Sequence, residues 1–301
     1  MMNLMQVLGS MEMGLIFSIV ALGIYISFRI LDFPDLTVNG TFPMGACIAA
    51  MCIVNDVNPW MATAYAFLGG ALAGSLTAFI HIRFNIMGLL ASILTMTALY
   101  SINLRITNLR PNVPMMEEST IFSYAESLLP HTEAVITLVF LLFVGIVFLL
   151  WWLLQSQMGL GLRATGANPI MAKSQGVHID RMKFLGICLS NGLVALSGSL
   201  YTQSQGFADV NMGAGTIVEG LAAVIIGEVI FPGRSVLSSL IGCLMGALFF
   251  RFAIAMALNS DSLGLEPSDL NLITAVIVAV ALILPKLKSK TFGAFKSGGN
   301  Q

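Results

Sequence analysis

The sequence predicts an all-α, polytopic membrane protein of about nine transmembrane helices with a re-entrant segment, its N-terminus outside and its C-terminus cytoplasmic. Three observations carry this. Hydrophobic residues make up 57% of the chain and charged residues only 10%, whereas a water-facing domain carries about 25% charged residues. The charges lie between long apolar runs rather than within them. Lysine and arginine gather in alternate connections, which sets an orientation in the bilayer.

Taken in order, the apolar runs fall near 11–31, 41–54, 59–82, 86–106, 133–154, 183–204, 216–231, 236–258 and 271–285. Crossing about 30 Å of hydrocarbon at 1.5 Å per residue takes roughly 20 residues. The second, seventh and ninth runs are short, so they must be sheltered by neighbours, stop short of one interface, or be joined by re-entrant segments. The stretch 32–40, Asp32-Phe33-Pro34-Asp35-Leu36-Thr37-Val38-Asn39-Gly40, is such a segment, because its carboxylates, proline and glycine rule out a continuous helix. No positively charged leader with a small-residue cleavage site opens the sequence, so the first run is expected to stay as a helix. Residues 1–290 read as one transmembrane domain, and 291–301 as a cytoplasmic tail expected to be disordered.

One set of connections holds Arg29, Arg83, Arg163, Lys173, Arg181, Lys183, Arg234 and the C-terminal Lys286, Lys288, Lys290 and Lys296, while the other holds only Arg105 and Arg110. The positive-inside bias places the first set in the cytoplasm. Net charge is -1, and no charge pattern points to nucleic acid; the lipid bilayer is the expected surroundings. Cys47, Cys52, Cys188 and Cys243 lie within apolar runs and read as small buried hydrophobes, since disulfide and zinc spacings are both missing. Gly70-x-x-x-Gly74 and Gly242-x-x-x-Gly246 are close-approach patterns, for packing within one subunit or for a dimer seam.

The longest connection on the basic side runs from Gln155 to about Met182. It opens with Gly159-Leu160-Gly161-Leu162-Arg163-Ala164-Thr165-Gly166, expected to be flexible and polar. Asn168 then suits a helix N-cap, Pro169 the first helical position and Gly176 the residue past the end, which predicts an isolated helix of about two turns. So short a helix is marginal alone and should need a partner surface. From geometry alone it could be a contact that transmits movement from a motor subunit, or an amphipathic loop lying on lipid.

From Gly161 to Gly233 the sequence resembles the permease family of bacterial ABC importers that includes the branched-chain amino acid and ribose systems. The resemblance rests on Gly-Leu-Arg-Ala-Thr-Gly-Ala-Asn-Pro at 161–169, on Asp180-Arg181-Met182-Lys183, on 189–198 (Leu189-Ser190-Asn191-Gly192 onward), and on 220–227 (Gly220-Leu221-Ala222-Ala223 onward). Phe28 to Phe42, with Pro34-Asp35-Leu36-Thr37-Val38, is similar to the branch of tryptophan/tyrosine-type uptake permeases. The resemblance implies a permease that works with a cytoplasmic ATP-binding subunit and an extracytoplasmic solute-binding protein, paired with a second permease copy as a homodimer. It also implies that Asn168 to Gly176 is the coupling helix, with Arg163, Asn168, Pro169, Ala172, Lys173 and Gly176 meeting the ATPase. In agreement, no Gly-x-x-x-x-Gly-Lys-[Ser/Thr] phosphate cradle occurs, so this chain needs no cofactor and ATP must be bound by a partner.

Ionisable residues inside spans are costly and often functional. Glu219 and Arg251 fall near the outer ends of the seventh and eighth runs and can form an ion pair that is structural or a gate. Glu228, near the other end of the seventh run, reads as a cytoplasmic-face contact, and His81 as a structural interfacial residue. Ser92, Thr95, Asn103, Ser190, Asn191, Gln203 and Ser204 could line a path, or could bond their own helix or glue neighbours. No catalytic set accompanies the scattered His81, His131 and His178, so an enzyme is not expected. A stand-alone secondary carrier or channel is the competing function. It would place coupling carboxylates near the midplane, where Glu219 and Glu228 are the only candidates.

Overall fold

The computed structural model describes residues 4–115, 118–123, 130–231 and 235–258, together with 272 and 274–279. The ninth run lies largely outside the described residues, as does the tail. Among the described residues, six helices are long and apolar enough to cross a membrane.

Helix α1 (Leu4–Ile24) continues into a π-helical turn, Tyr25–Ile30, and the chain leaves it at Asp32 with φ of 53°. From Gly14 onward α1 is buried on every side, as a helix that is apolar all round must be. It is packed among the helices His131–Gln155, Ile179–Gln205, Thr216–Ile230 and Val236–Leu258. Helix α2 (Val38–Val54) begins three residues earlier than the apolar run suggests. Helix α3 (Pro59–Phe84) starts on Asn58, whose side chain accepts from Trp60 N at 2.9 Å, with Pro59 first in the helix, and it ends at left-handed Asn85. Helix α4 spans Gly88–Ile106. After strand β1 (Asn112–Pro114) come α5 (His131–Gln155), α6 (Gln157–Ala167), α7 (Pro169–Ser174) and α8 (Ile179–Gln205). Strand β2 (Phe207–Asp209), α9 (Thr216–Ile230) and α10 (Val236–Leu258) complete the described chain.

The described residues are mostly helical, as the all-α class expects, and add a small antiparallel ribbon in which Val113 pairs with Ala208. Strands of three residues are too short to show an alternating pattern. The stretch 159–166 is helical, within α6, rather than flexible. Its glycines serve close packing: a Cβ on Gly166 would sit 1.8 Å from Ile30 O, and one on Gly159 would sit 2.3 Å from Leu153 O.

The two close-approach patterns resolve within the subunit. Gly70 and Gly74 of α3 face Asn191 and Ala195 or Ile187 of α8, and Gly242 and Gly246 of α10 face Ala223 and Gly227 of α9. A close backbone seam joins α2 to α8. A Cβ on Gly45 would lie 1.9 Å from Ala195 O, and one on Gly198 would lie 2.0 Å from Phe42 O. A backbone carbonyl cannot step aside as a side chain can. Gly198→Val is therefore expected to cost at least about 2 kcal/mol, read as a lower Tm in detergent by fluorescence-detected size exclusion.

The helix ends sort into two layers. At the basic end, Arg29 pairs with Glu228, Lys183 Nζ meets His81 Nε2 at 3.2 Å, and His81 Nδ1 lies 2.7 Å from Ile86 O. At the opposite end lie the ribbon and the contact between Gln203 and the 118–123 segment.

Candidate functional site

The short helices explain the interior. At 1.5 Å per residue, α2 is roughly 25 Å long and α9 roughly 22 Å, too short to cross. Each begins inside the protein. Asn39, in the first turn of α2, accepts from Ile217 N of α9 at 3.0 Å, so the two N-termini meet. Thr37, at the start of α2, bonds Thr77 at 2.8 Å, about two turns from the basic end of α3. The 31–37 connection therefore dips into the helix bundle.

Asp35 anchors that dip. It is fully buried, accepts from Thr37 N at 2.9 Å and from Asn191 Nδ2 at 2.6 Å. Asn191 also donates to Ile187 O at 3.0 Å and accepts from Thr41 Oγ1 at 3.0 Å. A buried carboxylate persists only with such donors. In the sequence Asp35 registers only as a helix breaker. The signal that could have found it is the Asp-x-Thr spacing of an Asx-turn, which makes the carboxylate a local cap rather than a solvated charge.

The other polar residues settle differently. Ser92 and Thr95 bond carbonyls of their own helix, Leu89 O at 2.9 Å and Ala91 O at 3.1 Å. Ser190 donates to Gly23 O at 2.7 Å, and Ser204 bonds Glu12, both tying α8 to α1. Gln203 is saturated, accepting from Ile121 N and donating to Thr63 and Ser199. Asn103 Nδ2 donates to Gly40 O at 3.2 Å, while its Oδ1 is buried with no hydrogen-bond partner among the described residues.

Glu219 and Arg251 do meet, at 2.7 Å, with side chains 20% and 18% exposed. The Arg251 guanidinium also lies 3.9 Å from the centroid of the Phe17 ring. Removing one partner strands the other charge. Arg251→Met is expected to lower the Tm more with Glu219 intact than beside Glu219→Gln. Equal losses in a double-mutant cycle would deny the coupling.

At the basic end, α7 stands off the bundle. Asn168 accepts from Met171 N at 3.0 Å, Pro169 opens the helix and Gly176, at φ of 83°, closes it. Ala172 is buried, its carbonyl taking Val177 N, while Lys173 is exposed and Ile170 and Met171 are 84% and 62% exposed. Helix α6 carries α7 on one side and packs its own Leu162 and Gly166 against the end of α1. Arg163 lies with Tyr25, Arg29 and Glu228 around a cavity of about 690 Å³. A push on α7 thus has a packed route through α6 into the π turn of α1. Single π turns inside helices recur at functional positions.

Residues 6–285 match the family model for the permease component of branched-chain amino acid transport systems. The chain belongs to that family. The permease is 41% identical over 276 residues to the tyrosine transport system permease protein of Clostridioides difficile, covering 92% of this chain and 90% of that protein. It is 25% identical to the ribose import permease protein RbsC of Escherichia coli K12, over 84% of this chain and 77% of the relative. Among solved structures, PsaBC from Streptococcus pneumoniae in complex with Fab superposes with a TM-score of 0.51 at 13% identity. That match covers 92% of this chain and 89% of the other, and it shows the fold alone. The permease is therefore a multi-pass inner-membrane component of an ABC importer, not a catalyst. In this family ATP hydrolysis belongs to a separate subunit, and a solute-binding protein is a partner. Membership displaces the stand-alone carrier or channel.

Proposed function

We propose that the permease imports an aromatic amino acid, works as a homodimer, and takes its power stroke from the ATPase through α7. Its basic end faces the cytoplasm, placing the N-terminus outside, as the lysine and arginine bias requires. Arg163, Asn168, Pro169, Ala172, Lys173 and Gly176 build or flank the ATPase contact. ATP is bound on the partner, and the permease itself holds no cofactor. Ser92, Thr95, Asn103, Asn191, Gln203, Glu219 and Arg251 belong to the walls or gate of the path. Among these, Glu219 and Arg251 form the closed ion pair.

One observation supports the coupling role above the others. Helix α7 is capped at both ends and held in shape, yet it turns Ile170 and Met171 to the outside. Exposed apolar tips on an otherwise self-satisfied helix suit a groove on a partner better than water. The aromatic solute is supported by the strong likeness to the tyrosine permease.

The test is uptake of labelled L-tyrosine into liposomes. They carry the permease with its ATP-binding subunit and its solute-binding protein. Uptake is expected only with all three proteins and ATP. Uptake by the permease alone, driven by an ion gradient, would refute the proposal.

A further inference from the structure

We infer that the cavity where α2, α4 and the 210–215 turn meet is a solute site for a zwitterionic aromatic amino acid. The inference rests on the function proposed above and locates one station on the route. The cavity has about 580 Å³, within the range that encloses a small organic ligand. It lies beside the junction of the two short helices, where Asn39 joins α2 to the first turn of α9 and Gly213 presses on Asn39 O. Its wall is therefore made where the two interrupted helices begin, and broken helices build midplane solute sites in other transporters.

The chemistry of the lining selects the solute. Asn103 is 1% exposed, and its Nδ2 is committed to Gly40 O, which orients the amide. That orientation leaves Oδ1 as a buried acceptor without a donor among the described residues, on a side chain that lines the cavity. A buried acceptor of this kind calls for an N–H, and an ammonium group supplies one. Asn191 and Gln203, by contrast, are saturated by protein groups.

Among the described residues no charged side chain lines the cavity, so a solute with a net charge would go uncompensated, while a zwitterion brings none. The N-terminus of α9 lies beside it at Gly215; its first amides are taken by Gly213 O, Asn39 Oδ1 and Gly215 O, so a carboxylate there meets the favourable field of the helix dipole rather than a free N–H. Pro43, Met96 and Tyr100 form an apolar and aromatic wall for a ring. The amine, acid and ring of one molecule each meet a matching surface.

The experiment uses the full-length permease in lipid nanodiscs. Thr97, which lines the cavity and is exposed, is changed to cysteine, and its labelling by a charged maleimide is compared with that of the parent chain. L-Tyrosine at millimolar concentration is expected to slow labelling at least fivefold. 3-(4-Hydroxyphenyl)propanoate, which lacks the amine, is expected to have no effect. Adding Asn103→Leu to the Thr97→Cys chain should remove the protection while the elution profile and Tm stay within the range of the parent. If that variant misfolds, the contrast between the two ligands on the Thr97→Cys chain still decides. Equal labelling with and without L-tyrosine, or equal protection by the des-amino compound, overturns the site. Protection that depends instead on protein concentration identifies a second copy of the chain as the occupant, and overturns it too. Uptake by the assembled importer separates the two failures. Transport of L-tyrosine without protection at position 97 rejects the site alone, and no transport of any aromatic amino acid rejects the function on which it rests.

Discussion

Replacing Ile170 and Met171 together by aspartate is expected to weaken binding of the ATP-binding subunit by roughly 100-fold or more, with insertion and folding unchanged. Both side chains project from α7 and touch little of their own chain, so the bundle loses nothing when they go. A large apolar side chain buried at the centre of an interface contributes about 2 kcal/mol or more, and two of them exceed two decades in affinity. Biolayer interferometry with the permease in nanodiscs reads the affinity, and the elution profile reads the fold. Ala172→Arg is a different experiment. Ala172 is 3% exposed, so arginine there disrupts α7 itself and cannot separate shape from contact. The pair at 170 and 171 can.

Asp35→Leu is expected to be the most damaging single change in the interior, lowering stability by about 3–5 kcal/mol. It strips the acceptor from Thr37 N at the entry to α2 and from Asn191 Nδ2 on α8, leaving buried donors unpaired in a place water cannot reach. The dip then loses its anchor. Asp35→Leu combined with Asn191→Leu is expected to recover part of the loss, because the stranded amide is removed along with its partner. Thermal melts of the two variants in detergent check this, and a double variant no more stable than the single would show that the Asp35–Asn191 pair is not the anchor.

These two residues show how far the sequence could be read. The long spans were legible because a bilayer imposes a length and a composition on each helix by itself. The α7 helix was legible because Asn168, Pro169 and Gly176 are local signals, decided by a few neighbouring backbone groups. The ion pair of Glu219 and Arg251 was legible because each charge needs a partner and few were on offer. Asp35 was not, since its meaning depends on Asn191, far along the chain. Helix α6 was misread for a related reason. Glycine signals flexibility in isolation, but Gly166 is there because the carbonyl of Ile30 leaves no room for a side chain. The Asn103 cavity needed the fold as well. Only with α2, α4 and the 210–215 turn in place does one amide oxygen stand out as unanswered.

The central claim is that α7 is the mechanical joint to a separate ATP-hydrolysing subunit. It is tested most directly by placing a photo-activated benzoylphenylalanine at position 170 of the assembled importer in native membranes and irradiating during active uptake. The account predicts a covalent adduct between the permease and the ATP-binding subunit, lost when the same residue is placed on the lipid-facing side of α5 at Phe148. Undiminished uptake with adducts to lipid alone at position 170 would contradict it.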